Sequence, residues 1–155
     1  MNIKLNPIHT ILVTPSQKPV NLEYITKDNY LNGVTVEQGD HLTVFSTGGF
    51  VVNAKASGDF TNSKNSETIE ASSVSVSAAN GSVVANGSQT FTARNLTTGD
   101  QEIIKSTLGG RDRKFNITYK GAGADAYIDK FDKDGGSEGA VNVYSATVTY
   151  TILAD

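Results

Sequence analysis

The chain has no cysteine, no tryptophan, one methionine and three prolines among its 155 residues. Without cysteine there is no disulfide framework, no thiol nucleophile and no Cys-ligated zinc. Without tryptophan it lacks the largest of the flat rings that stack on sugars. Charge is sparse, at 19% of residues, with a net charge of -3 and a pI near 5.3. That balance argues against a nucleic-acid partner or a polybasic membrane contact. No apolar run reaches the roughly 20 residues that span a bilayer. No signal-type apolar segment is present, so the expected product is a cytoplasmic protein or a mature form whose leader has been removed. Histidine is limited to His9 and His41, and neither sits in a recognisable motif such as H-E-x-x-H or G-x-S-x-G. An enzyme is not expected.

What fills the chain is Gly, Ser, Thr and Asn around a modest 37% of hydrophobic residues. The length is that of one domain, able to bury roughly 70% of its unfolded surface without metal or disulfide. Thr and Ser take the outward positions of alternating runs. Neutral polar faces of this kind are common on extracellular bacterial β-proteins, so a cell-surface location is expected, with the leader gone.

The clearest element closes the chain. Tyr144, Ala146, Val148, Tyr150 and Ile152 alternate with Ser145, Thr147, Thr149 and Thr151. A strand sends successive side chains to opposite faces, so one face is buried and the other wet. Its regularity predicts a central strand. Other runs read the same way: Val20 to Thr26, His41 to Ser46, Phe50 to Ala56, Ile69 to Ala78, Lys114 to Lys120 and a short Tyr127 to Phe131. Gly48-Gly49 predicts a hairpin joining His41–Ser46 to Phe50–Ala56. Lys27-Asp28-Asn29 and Asn32-Gly33 read as turns. No helical period persists. Roughly nine or ten short strands with Gly and Asn-Gly turns predict an all-β fold, a single antiparallel immunoglobulin-like sandwich.

Ahead of it lies an apolar segment carrying Ile3, Leu5, Ile8, Ile11 and Val13, then a stretch with Pro15 and Pro19. Residues 1–17 read as an extended arm and hinge, and 18–155 as the sandwich. Thirteen extended residues reach roughly 40 Å. The arm either pairs with its own sheet or adds to the sheet of a neighbouring copy.

Three smaller features remain. Asp129, Asp132, Asp134 and Glu138 form an acidic stretch that could hold calcium, although the EF-hand spacing is absent. Gly109–Lys114 reads as a solvated basic turn. Tyr30, Phe60 and Tyr127 fall outside the inward phases and could make a small aromatic patch.

The ending Tyr-Ser-Ala-Thr-Val-Thr-Tyr-Thr-Ile-Leu-Ala-Asp, the apolar arm and the Thr/Asn/Gly-rich strands together resemble secreted bacterial pilin-type β-sandwiches. These are the donor-strand fimbrial subunits and related surface-filament proteins. The resemblance implies an N-terminal extension inserted into the next subunit, with the C-terminal strand lining the receiving groove. Ile3, Leu5, Ile8, Ile11 and Val13 would then be the donated side chains. Tyr144, Ala146, Val148, Tyr150 and Ile152 would belong to the receiving core. Absence of cysteine and the interrupting Pro7 depart from that pattern. The function expected is a structural subunit of an extracellular filament, a homopolymer with no cofactor beyond the calcium candidate. The alternatives are a monomeric adhesin or carbohydrate-binding sandwich, and a phage or virion structural protein.

Overall fold

The structure is a computed structural model that describes residues 1–84, 87, 89–131 and 141–155. It is an all-β sandwich of antiparallel sheets. In chain order the strands are β1 His9–Val13, β2 Thr35–Ser46, β3 Phe50–Ala56, β4 Phe60–Asn62, β5 Thr68–Ile69, β6 Val74–Asn80, β7 Gln89–Phe91, β8 Arg94–Asn95, β9 Gln101–Ser106, β10 Gly110–Gly121, β11 Tyr144–Ser145 and β12 Val148–Ala154. One sheet has the order β1-β2-β10-β6-β8 and the facing one β12-β3-β9-β7. A small third sheet, β11-β4-β5, stands at the side.

The core lies between the two large sheets and follows the period of two. Phe50, Val52, Ala54 and Ala56 of β3 are buried while Val51, Asn53 and Lys55 are not. Phe115, Ile117 and Tyr119 of β10 meet them from the other layer, with Leu42 and Val44 of β2 and Ile103 and Ile104 of β9. Phe115 packs edge-on against Phe50 and, more tilted, against Phe91, both at 6.2 Å between ring centres. Each such large apolar side chain contributes about 1.5–3 kcal/mol by leaving water.

Several pairings differ from the sequence expectation. β2 and β3 are not a hairpin: they belong to different sheets, and Gly48-Gly49 carries the chain across the sandwich. Their inward residues therefore face each other through the core rather than lying side by side. Among the described residues β12 is an edge strand, paired with β3 alone, from Val148↔Ala56 to Ala154↔Phe50. Alternation records that one face is buried, and an edge strand satisfies it as well as a central one. Tyr144 belongs to a separate short strand against β4, so the C-terminal run is broken in two. Val20–Thr26 makes no ladder, although Val20 and Leu22 pack on the core. The expected strand at 69–78 is broken by a 3-10 turn at Ala71–Ser73, whose first N–H is held by Asp59 at 2.9 Å. Ile128–Lys130 is likewise a 3-10 turn rather than a strand.

A short helix, α1 Lys27–Asn32, stands where turns were expected. Thr26 and Asn29 form a reciprocal capping box at its start, and Gly33 ends it at φ 79. These caps satisfy orphan backbone groups that six residues alone would leave open. Among the described residues no helix is long and apolar enough to cross a membrane.

Candidate functional site

The N-terminal segment divides at Ile8. From there onward it belongs to its own sheet: β1 pairs antiparallel with β2, from His9↔Ser46 to Val13↔Leu42. Ile11 and Val13 pack against the core of their own chain. This corrects the reading of those two as side chains donated to a neighbour. The reason is local. Ile8 and Thr47 bond reciprocally through their backbones and the Thr47 hydroxyl, at 3.0 Å for each amide donor. Thr14 then continues the pairing to the His41 carbonyl at 2.9 Å. Residues ahead of that clasp are different. Met1–Pro7 are exposed, belong to no strand, and have no hydrogen-bond or ion-pair partner among the described residues. Ile3, Leu5 and Ile8 are 80%, 88% and 48% exposed.

The expected receiving face is already occupied. Val148, Tyr150 and Ile152 point into the sandwich, and β1 lies alongside β12 at the shared edge of the two sheets. Tyr144 is held by its hydroxyl to the Lys130 carbonyl at 2.6 Å, and Ala146 is half-buried between the two short strands. Val148, Tyr150 and Ile152 thus face the core beside the chain's own β1, while Tyr144 stands apart against β4.

A buried polar relay ties this edge together. Tyr150 and Tyr119 share a hydrogen bond, Tyr119 lies 3.3 Å from His41 Nε2, and His41 Nδ1 lies 2.8 Å from Gln17 Oε1. The amide nitrogen of Gln17 donates to the Gly39 carbonyl at 2.6 Å, so its oxygen must accept from Nδ1–H. His41 Nε2 then accepts from Tyr119, and Tyr119 from Tyr150. One orientation satisfies every member, which is the condition for a polar group to sit in a core at low cost. In this orientation the imidazole is neutral. Burial, then the charge of Lys18, holds His41 below its ordinary 6.5. A lowered histidine pKa means that stability is fully present above about 6.5 and is lost as pH falls below it, because the unfolded chain takes up the proton first. Denaturant unfolding at pH 7.5 and at 5.0 is therefore expected to show lower stability at 5.0, with the difference much reduced in His41→Gln.

A second feature lies at the opposite end of β2. There α1 and the loop after β10 are bound by backbone contacts, Ala124 to Leu31 at 2.6 Å and Asp125 to Tyr30 at 2.9 Å. Between them opens a shallow hollow of about 520 Å³, lined by Lys27, Asp28, Tyr30, Leu31, Asp125 and Ile128. Leu31 and Ile128 are 56% and 54% exposed. Beneath it the rings of Tyr24, Tyr30 and Tyr127 pack on one another at 5.4 and 5.0 Å. Tyr24 donates to the Ala122 carbonyl at 2.7 Å; burial first, then Tyr127, pushes its hydroxyl up to about 12. Tyr127 is bonded to Ser73 at 2.7 Å. Of the expected aromatic patch, Tyr30 and Tyr127 meet here, while Phe60 packs against the core on β4.

Two other sequence readings are placed as follows. Asp129 is exposed, and Asp132, Asp134 and Glu138 lie outside the described residues. No group of three or more possible metal ligands occurs among the described residues. Gly109–Lys114 is not simply a solvated basic turn. Arg111 lies over the Phe45 ring at 5.4 Å, but Arg113 is only 2% exposed. It shares the inward phase of Phe115, Ile117 and Tyr119, and that phase was the available signal for it.

No protein-family model matches the chain, and no curated protein matches it significantly.

Proposed function

We propose that the protein is a structural subunit of an extracellular filament, a homopolymer in which residues 1–7 of one copy are taken up by the next. The observation that carries this reading is the exposure of Ile3, Leu5 and Ile8 ahead of a strand that begins only at His9. Each large apolar side chain left in water forgoes about 1.5–3 kcal/mol of burial. An exposed apolar segment of this kind marks an interaction site. Contact between this segment and a different face of an identical chain is heterologous; it repeats without closing and builds a fibre. Neutral Thr- and Ser-rich outer faces support a location outside the cell. The donated piece is shorter than the arm read from sequence, because His9–Val13 is committed to its own sheet.

Two truncations test this. Removing residues 1–7 takes away no bonded partner, so the domain is expected to stay folded, with its melting temperature within about 2 °C of the full chain. Filaments in negative stain, and the polymer seen by light scattering, are expected to vanish. Removing residues 1–13 also strips an edge strand and the packing of Ile11 and Val13, at a cost of about 3 kcal/mol or more. A full-length protein that stays monomeric at high concentration would overturn the reading.

A further inference from the structure

We infer that the hollow between α1 and the loop after β10 is the site that receives residues 1–7 of a second copy. The inference rests on the assembly reading above and names its missing half. The tail leaves the body beside Ser46, at one end of β2. The hollow sits past the other end of that strand, where Thr35 pairs with Lys120. Met1–Pro7 lie exposed with no hydrogen-bond or ion-pair partner among the described residues, so the chain does not fill its own hollow.

The chemistry of the two surfaces agrees. The tail offers Ile3 and Leu5 on alternate positions with Lys4 between them, so an extended backbone turns both apolar side chains one way and the cation the other. The hollow offers Leu31, Ile128 and the Tyr30 ring, with Asp28 and Asp125 at its rim beside Lys27. Ile25, next to the helix cap, is 78% exposed, and Phe131, just after the 3-10 turn, is 50% exposed. This end of the molecule thus carries uncovered apolar surface of its own. The rim carboxylates suit Lys4, which has no partner in its own chain among the described residues. The alternative receiver, the outer edge of β12, is flanked by the chain's own β1.

Absence of cysteine makes the test direct. Equimolar Leu5→Cys and Leu31→Cys subunits are mixed at a concentration where the wild type polymerises, then mildly oxidised. A disulfide-linked heterodimer is expected, with far less product from either variant alone. In parallel, Leu31→Asp with Ile128→Asp is expected to raise the critical concentration about a hundredfold while leaving the melting temperature near that of the wild type, since both side chains are exposed. If Leu5→Cys instead joins Leu153→Cys on the β12 edge, or if the double aspartate variant polymerises normally, the hollow is not the receiver and the inference fails. In that outcome Leu5→Asp still blocks assembly if the tail is the donor. Should Leu5→Asp also be without effect, the filament reading itself falls.

Discussion

Arg113→Ala is expected to lower the stability of the domain by about 3–4 kcal/mol, the sum of a lost buried stem and stranded polar partners. Arg113 is 2% exposed, between the sheets. Its Nη1 donates to Ser106 Oγ at 2.6 Å, and its Nη2 to the Gly109 carbonyl at 2.7 Å. The guanidinium also lies 5.7 Å from the centre of the Phe50 ring. The backbone makes room for it. Between Gly110 and Arg113 the pairing with β2 slips its register, and Asp112 takes a positive φ of 52. A Cβ at Gly110 would fall on the Arg113 side chain. A Cβ at Gly109 would fall on the Ser46 carbonyl and, 2.7 Å away, crowd the Gly48 amide. The bulge thus turns a cation inward to clamp the end of β9 to the crossing between the two sheets. That crossing adjoins Thr47, which clasps Ile8. Burial lowers the pKa of Arg113, yet guanidinium stays charged at any working pH. Among the described partners its charge is met by neutral oxygens and a ring face, so the group is costly to bury and costlier still to remove piecemeal. Arg113→Met, which keeps the stem but not the fork, is expected to fall between wild type and alanine. For a domain of this size, alanine should lower the melting temperature by about 10 °C in calorimetry. A shift under about 2 °C would show that the fork carries no structural load.

The inward phases are legible in the sequence. Phe50, Val52, Ala54 and Ala56, then Phe115, Ile117 and Tyr119, then Val148, Tyr150 and Ile152 all obey a period of two, and burial enforces that period locally. Partnership was not legible. β1 finds β2, and β12 finds β3, through contacts across 30 to 100 residues, and no local pattern encodes which edge a strand takes. Gly48-Gly49 is equally compatible with a hairpin and a crossing. Arg113 stood in phase with its apolar neighbours, but a charge is a poor core candidate until its carbonyl partners are known. α1 is too short to show a helical period; its evidence was the caps, Thr26 with Asn29 and then Gly33. Of the assembly site, the apolar tail was visible as Ile3, Leu5 and Ile8. Its boundary was not, because the clasp at Thr47 is tertiary. The hollow joins Leu31 to Ile128 across most of the chain, beyond the reach of sequence pattern.

Gly33→Val is expected to cost about 3–5 kcal/mol and to damage the receiving end of the molecule selectively. Gly33 has φ 79 and ψ 172, a region essentially reserved for glycine, where another residue is strained by about 1–3 kcal/mol. Space is a second obstacle. A Cβ there would fall on the Gly121 carbonyl oxygen and lie 3.1 Å from the Gly123 amide. A Cβ at Gly123 would in turn lie 2.6 Å from the Leu31 carbonyl. Two glycines thus let the end of α1 and the loop after β10 touch backbone to backbone. That contact sets the bonds from Ala124 to Leu31 and from Asp125 to Tyr30. Rigid main chain cannot yield as a side-chain tip would, so overpacking adds about 1–3 kcal/mol. Strain and clash act on the same few residues, so the first response is separation of α1 from the loop, with the sandwich core left intact. Hydrogen exchange should then show faster exchange at the Ala124 and Asp125 amides, while β3 and β10 amides keep their protection. Because those two segments form the hollow, the variant should also polymerise poorly at temperatures where its core remains folded. A variant that melts as the wild type does, with unchanged exchange at Ala124, would show that the close approach of these two glycines is not what holds this end together.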